Sequence, residues 1–212
     1  MISSFQFFST IRSRKLLLIA LAFIALTIFF SMAKLVSSPD TTMLPVAITG
    51  VHHMGEKFAV SEFYINRYWG GNIGPEGGGG STVCCAMLPE KWRPGLVGDV
   101  RWSVSDWSKK NKEQVAAGDY SSVDWKMFRA IVPVEKYEGH PEQLYVHFFV
   151  DGGVRVISSG VGSENKNHPI RDTDPSAGSI ATRGTATDSL FTDLEFNNMM
   201  NEKKRQGSGR QR

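Results

Sequence analysis

An uninterrupted apolar segment near the N-terminus constrains this 212-residue chain more than any other feature of its sequence. Leu16 to Ala33 carries no charge, and as a helix rising about 1.5 Å per residue it would extend ~27 Å, enough to cross the apolar core of a bilayer. A helix that is apolar on every face has no side to present to water. We therefore predict a transmembrane anchor or signal segment at residues 16–34.

The charges on either side of this segment predict its orientation. Three basic residues lie within residues 12–15, whereas the first acidic residue is Asp40. The positive-inside rule places residues 1–15 in the cytoplasm as a basic flank and the rest of the chain outside. In a bacterium this means the inner membrane, with the main domain in the periplasm. Small residues at Ser31 and Ala33 also suit a signal peptidase, so cleavage after Ala33 would release a periplasmic protein instead.

Outside the basic flank the chain is electrically balanced. The net charge of +3 comes from 24 basic and 21 acidic residues, and three of the basic residues belong to the flank. A nucleic-acid-binding domain usually carries a clustered basic excess. We therefore expect no nucleic-acid partner.

The middle of the chain has the period-two alternation of β-strands. In Asp99–Val104 it places Val100, Trp102 and Val104 on one face of a half-buried strand. Asp151-Gly152-Gly153 predicts a hairpin turn into a strand at 154–157. The other candidate strands are 46–51, 58–65, 81–87, 124–134 and 144–150. This pattern predicts a mainly β domain at residues 46–169, a small antiparallel β-sandwich or open barrel, preceded by one N-terminal hydrophobic helix.

The remaining segments are predicted to be less regular. Residues 35–45 resemble a linker, and the glycine-rich stretch from Gly70 to Gly80 predicts a long loop. Within the domain, the best helical window is 107–117. Residues 170–212 are predicted to be a flexible tail, disordered over 171–188, with a short amphipathic helix near 188–204.

Cys84 and Cys85 are the only cysteines, and they are adjacent. Two interpretations remain open. Neighbouring strand residues face opposite ways, which predicts one buried and one partly exposed thiol. Alternatively, an oxidising periplasm favours a vicinal disulfide. A catalytic cysteine has little support, because no residue is marked as its base.

Other residues that carry chemistry form no recognisable catalytic pattern. His52 and His53 are adjacent and should face opposite ways on a strand, so we predict no metal site and no cofactor. The remaining histidines are interpreted as structural; they are His140, His147 and His168. The glycine run lacks the Gly-Lys-Ser/Thr of a phosphate-binding loop, and no G-x-S-x-G motif occurs. We therefore predict that the protein is not an enzyme.

An ordered set of motifs resembles the bacterial family DUF3304, over residues 46–157. Its most specific part is the cysteine pair followed by a Trp-Arg-Pro-Gly turn. The family usually has a polar-aromatic pair where this chain has His52-His53. The matching motifs are Ile48–His53, Phe63–Asn66, Trp69–Asn72, Gly78–Cys85, Leu88-Pro89, Trp92–Leu96, Val100–Trp102 and Leu144–Phe148.

The resemblance implies a function without an established enzymatic activity. Members of the family are similar to exported or lipoprotein-like proteins and are often encoded beside lipase effectors of type VI secretion systems. This context implies an immunity protein that binds and neutralises an incoming lipase or phospholipase. We expect the contacts at Trp69, Asn72 and the glycine loop that follows it, and at Trp92-Arg93, because loop aromatics often serve binding surfaces. The alternatives are a cysteine-based redox or other enzyme of the cell envelope, and a structural envelope protein without an effector partner.

Overall fold

The computed structural model of the chain describes residues 42–75, 77, 82–121, 123–171, 174 and 176–209. The predicted N-terminal helix and its basic flank lie outside these residues. The helices that are described are not long and apolar enough to cross a membrane. The described elements are β1 (Met43–His52), β2 (Phe58–Ile65), β3 (Tyr68–Ile73), β4 (Val83–Pro89), β5 (Val97–Asp106), α1 (Lys112–Ala116), β6 (Asp124–Pro133), β7 (Gln143–Phe149), a 3-10 turn (Val150–Gly152), β8 (Gly153–Ser159), β9 (Thr182–Arg183), β10 (Thr185–Thr187) and α2 (Asp193–Gly209).

The strands form two five-stranded sheets. Sheet A has the order β4-β1-β7-β8-β9, and sheet B has the order β10-β6-β5-β2-β3. The mainly β prediction is confirmed, and within the described residues both sheets are open rather than closed into a barrel. The prediction of an antiparallel fold is wrong for one pair, because β1 and β7 run parallel and make sheet A mixed.

Aromatic side chains from both sheets meet in one core between them. Trp102 on sheet B packs against Phe128, with ring centroids 5.3 Å apart, and against Phe148 of sheet A at 5.5 Å. Phe63 meets the same Phe148 edge-to-face at 5.2 Å. Full burial of such a side chain stabilises a fold by roughly 1.5–3 kcal/mol. The predicted core role of Trp102 is confirmed.

The prediction that β5 is half-buried is wrong. Val100, Trp102 and Val104 do share the core face, but Arg101, Ser103 and Ser105 on the opposite face are buried as well. The outer face of β5 is therefore covered by other parts of the chain, as described below.

Strand β3 lies where the sequence predicted a loop from residue 70 onward. A two-residue turn at Asn66 and Arg67, with φ of 50° and 70°, joins β2 to β3. Positive φ at both positions is the geometry that suits a tight hairpin, although the usual second residue is glycine. Gly70 lies directly against the buried ring of Phe63, where a Cβ atom would overlap the ring. Close packing therefore explains a glycine that composition alone assigns to a loop.

The domain extends beyond both predicted boundaries. At its start, Met43 to Pro45 of the predicted linker belong to β1. At its end, Ile170 and Ala177 are buried in a second apolar cluster with Val51, Tyr145 and Phe149, on the outer face of sheet A. The described part of the segment predicted to be disordered is therefore folded.

The same segment then closes one edge of each sheet. Thr182-Arg183 (β9) pairs with β8 in sheet A, and Thr185–Thr187 (β10) pairs with β6 in sheet B. The chain crosses from one sheet to the other at Gly184, whose N–H donates to the carbonyl oxygen of Gly152 at 2.8 Å. Pairing in this way protects strand edges that would otherwise attract other chains.

Beyond β10 the chain lies on the outer face of sheet B. The buried Arg101 guanidinium donates to the carbonyl oxygen of Leu190 at 2.8 Å and to both carboxylate oxygens of Glu195 at 2.8 and 3.0 Å. It also lies 4.6 Å from the ring centroid of Phe191. A C-terminal helix was predicted, and α2 occupies residues 193–209 rather than 188–204.

Candidate functional site

A groove of about 750 Å³ occupies the part of the outer face of sheet B that the C-terminal segment leaves uncovered. Strands β2, β5 and β6 form its floor near Ala59, Ser105 and Trp125. One wall is the segment from Trp107 to Tyr120, and the other is the stretch from Asn72 to Pro75. Trp125 is 50 % exposed and Tyr120 is 62 % exposed. Exposed aromatic side chains of this kind are characteristic of binding surfaces.

Local contacts hold the first wall in place. The N–H of Trp107 donates to the carbonyl oxygen of Lys57 at 2.8 Å, and its ring packs edge-to-face on Tyr120 at 5.4 Å. The ammonium group of Lys110 donates to Asp119 and to Ser121, both at 2.9 Å. Because these contacts connect the two ends of the wall, its aromatic side chains are positioned before any ligand binds.

The same wall contains the short helix α1, which a capping box stabilises. The side chain of Asn111 accepts from the N–H of Gln114, and the Gln114 side chain accepts in return from the N–H of Asn111. This helix lies inside the predicted window 107–117 and begins later, at Lys112, because the cap defines its first turn.

Hydroxyl groups on the floor of the groove satisfy one another. Ser61 donates to Ser105 at 3.2 Å, and the indole N–H of Trp107 donates to the same Ser105 oxygen at 3.0 Å. The Ser105 hydroxyl in turn donates to the carbonyl oxygen of Ala59 at 3.5 Å, so these groups are already engaged in hydrogen bonds. With its exposed aromatic side chains, the groove is a candidate binding surface.

The predicted contact residues fall in different places. Asn72 lines the groove. Trp69 is exposed on β3, and its position pairs with Tyr64 on β2. Trp92 packs against the core, and its indole N–H donates to the carbonyl oxygen of Val134 at 2.8 Å. Trp92 belongs to a separate cavity beside the loop 136–140, so the structure does not bring it to the groove. Its neighbour Arg93 is exposed and lines neither cavity.

Cys84 and Cys85 lie at the start of β4, the edge strand of sheet A. Their sulfur atoms form a vicinal disulfide, and the Cα atoms are 3.1 Å apart. Cys84 is exposed and Cys85 is partly buried. Of the two interpretations left open by the sequence, the structure contains the disulfide.

Three histidines that the sequence analysis treated separately come together on the outer face of sheet A. Nε2 of His53 lies 2.9 Å from Nδ1 of His147, and Nε2 of His147 lies 3.1 Å from Nε2 of His168. Burial is the main cause that holds the pKa of His147 well below the ordinary histidine value of 6.5, and the neighbouring histidines add to it. Among the described residues, however, no three or more His, Cys, Asp or Glu side chains are arranged so that they could hold a metal ion.

The sequence alone does not predict that these three histidines lie together, because strand pairing and a distant segment bring them into contact. The parallel pairing of β1 with β7 places Val51 opposite His147. The fold of the segment after β8 then adds His168. Neither the pairing nor the return of that segment can be inferred from the spacing of histidines along the chain.

Comparison with known proteins supports the resemblance seen in the motifs. The model of the family described as "Protein of unknown function (DUF3304)" matches residues 54–156. No curated protein and no solved structure matches the chain. The matched segment runs from the turn before β2 into β8 and includes the groove described above. The chain therefore belongs to the DUF3304 family.

Proposed function

We propose that this protein is a periplasmic immunity protein that binds and neutralises a lipase or phospholipase effector of a type VI secretion system. In this proposal residues 16–34 hold the domain at the inner membrane, or cleavage after Ala33 releases it into the periplasm. The observation that carries the proposal is the groove with its exposed aromatic side chains. The genetic context of similar proteins suggests the identity of the partner.

The chemistry of the groove suits such a partner. An enzyme that accepts acyl chains must present apolar surface around the entrance to its active site. The groove offers Trp107 and Tyr120 on one wall and Trp125 on its floor. Lys57 and Lys112 lie at its margin, where they can contact polar groups that surround an apolar entrance. When the lipase docks in the groove, this chain would cover the entrance to the lipase active site and prevent lipid from reaching it.

The decisive experiment is co-purification of the full-length chain with the lipase encoded nearest to its gene, followed by a lipase assay. We expect a 1:1 complex in which lipase activity is lost. Trp125→Ala should weaken binding by about 2 kcal/mol, or roughly 30-fold in Kd, as expected for a central aromatic contact.

Ile131→Ala provides a matched control for this substitution. Ile131 is exposed on the same face of β6, six residues from Trp125 and therefore roughly 20 Å away. The Ile131→Ala variant should bind the lipase with a Kd within about twofold of the unchanged protein. Equal losses of affinity in both variants would mean that the groove is not the contact surface. A fully active lipase with no complex would refute the immunity function itself.

The disulfide supports one alternative, a redox enzyme of the cell envelope. Such an enzyme needs a disulfide that exchanges readily with thiols, and Cys84 is exposed at a sheet edge. Thiol titration of the native protein across a series of redox buffers tests this alternative. A disulfide that stays intact throughout would eliminate it, and the absence of both redox and lipase-binding activity would favour a structural envelope protein.

A further inference from the structure

The floor of the groove on sheet B combines small side chains with one large aromatic side chain. Ala59, Ser61 and Ser105 are the small residues, and Trp125 lies beside them. Strand pairing places Ala59 opposite Ser105 and Ser105 opposite Trp125, so one row of side chains crosses β2, β5 and β6. Neighbouring strands lie about 4.8 Å apart, and the row therefore extends about 10 Å. Small side chains along this row leave space for a ligand between the two walls.

The polar groups of the groove determine what a ligand on this floor must offer. The hydroxyl of Ser61 donates its only proton to Ser105, so its oxygen can accept a hydrogen bond from a ligand. The side chain of Asn72 is exposed at the groove wall and provides both a donor and an acceptor. A ligand that matches both residues must donate and accept hydrogen bonds. An acyl chain does neither along its length.

The aromatic side chains of the groove add a second requirement. Trp125 is 50 % exposed and Tyr120 is 62 % exposed. The Trp107 ring is held in place by the hydrogen bond from its N–H to Ser105 and by its edge-to-face contact with Tyr120. An exposed ring face binds a flat apolar surface, and a ring that is already oriented loses little conformational freedom on binding. The ligand should therefore have a flat apolar face as well as hydroxyl groups.

The charges around the groove are of both signs. Glu56, Lys57 and Lys112 are exposed among its lining residues. Lys110 also lines the groove, and its ammonium group is paired with the carboxylate of Asp119 at 2.9 Å. A strongly charged ligand of either sign would meet a like charge, and such contacts are unfavourable. These charges therefore suit a neutral ligand, whose hydroxyl groups can bond to carboxylate and ammonium groups alike.

We propose that the groove binds a neutral β-1,4-linked disaccharide whose polar groups lie at the edges of its sugar rings. Such rings have flat C–H faces, one of which stacks on Trp125, while hydroxyl groups at the edge donate to Ser61 and bond to Asn72. At roughly 30 Å³ per water molecule, the groove volume of about 750 Å³ accommodates about 25 non-hydrogen atoms, the size of a disaccharide. The proposal goes beyond the lipase-binding function and does not rest on it, because a sugar can occupy the groove without a protein partner.

Calorimetric titration of the full-length protein tests the proposal, with cellobiose and N,N′-diacetylchitobiose as probes and octanoate as the apolar, anionic comparison. We expect saturable binding of at least one disaccharide with a Kd of about 1 mM or lower, and no saturable binding of octanoate. Binding of neither disaccharide at concentrations up to about 10 mM would overturn the proposal, as would binding of octanoate alone. The titrations contain no lipase, so a chain that forms the lipase complex but binds neither sugar would refute this inference and leave the immunity function intact.

Three variants locate the sugar in the groove. Trp125→Ala should weaken disaccharide binding about tenfold, because it removes the stacking surface. Asn72→Ala should weaken it about fivefold, as is usual for the loss of one hydrogen bond. Trp69→Ala is the matched control, because Trp69 is a similarly exposed tryptophan, at 48 %, that lies outside the groove. It should bind the disaccharide with unchanged affinity. Full affinity in Trp125→Ala, or equal losses in Trp125→Ala and Trp69→Ala, would refute the site.

Discussion

Replacing Gly184 with alanine should destabilise the protein, because the new methyl group has no space. Gly184 lies where the chain crosses from sheet A to sheet B. A Cβ atom at this position would lie 2.5 Å from Cη2 of Trp102 and 3.2 Å from Cβ of Phe128. Trp102 is 1 % exposed and packed between Phe128 and Phe148, so its ring cannot move aside without disturbing both neighbours.

Two opposing effects determine the size of this destabilisation. Forcing an extra methyl group into a packed core costs about 1–3 kcal/mol. Alanine also restricts the unfolded chain, which stabilises the folded state by about 0.4–1 kcal/mol. The net loss in the free energy of unfolding should therefore be about 1–2 kcal/mol. For a domain of this size, that loss corresponds to a Tm lower by about 2–8 °C.

Urea and thermal unfolding of the full-length chain, followed by tryptophan fluorescence, measures this effect. Gly74→Ala is the matched control, because a Cβ atom there meets no atom of the described residues within 4 Å, apart from its chain neighbours. It should leave the free energy of unfolding within about 0.5 kcal/mol or raise it slightly. A Gly184→Ala variant as stable as Gly74→Ala would refute the packing of residues 182–187 against the core and restore the prediction of a disordered segment.

Three further predictions concern stability. Glu195→Gln should lower the free energy of unfolding at pH 7 by about 1–2 kcal/mol. The hydrogen bonds from Arg101 lower the pKa of Glu195 from 4.5 to about 2, so the carboxylate stabilises the fold above pH 4.5 and ceases to do so as the pH falls toward 2. In an acid titration followed by unfolding, the variant should lack this loss of stability. Trp92→Phe removes the donor to the carbonyl oxygen of Val134 and should cost about 1 kcal/mol in urea unfolding. Because the pKa of buried His147 is lowered, its neutral form contributes full stability above pH 6.5, so the urea midpoint should fall as the pH decreases below that value.

The parts of the fold that were predicted from sequence are those whose signal is local. The alternation of apolar and polar residues predicted the bounds of β2, β5, β6 and β7 to within about two residues, because each of these strands buries one face in the core. The hairpin turn at Asp151-Gly152 was likewise evident from its residues, and both have positive φ. Strand β3 was missed because its two glycines have the composition of a loop, although one of them, Gly70, packs closely against Phe63.

The C-terminal part of the domain was missed for a different reason. Its residues are mostly polar, and composition of this kind usually predicts disorder. A few buried or paired side chains are sufficient to hold this segment on the domain. They are Ile170 and Ala177 on sheet A, and Leu190 with the Arg101–Glu195 ion pair on sheet B. Arg101 was visible in the sequence, but the strand pattern gave no indication that a segment about ninety residues away covers it. Burial that depends on distant segments cannot be inferred from local periodicity.

The adjacent histidines of β1 show how local and distant information combine at the candidate sites. Alternation along a strand predicts that His52 and His53 face opposite ways. His52 is 4 % exposed and its Nε2–H donates to the carbonyl oxygen of Gly74, on the wall of the groove, at 2.7 Å, whereas Nε2 of His53 lies 2.9 Å from Nδ1 of His147 on the outer face of sheet A. The geometry that separates the two side chains thus also directs them to two different sites.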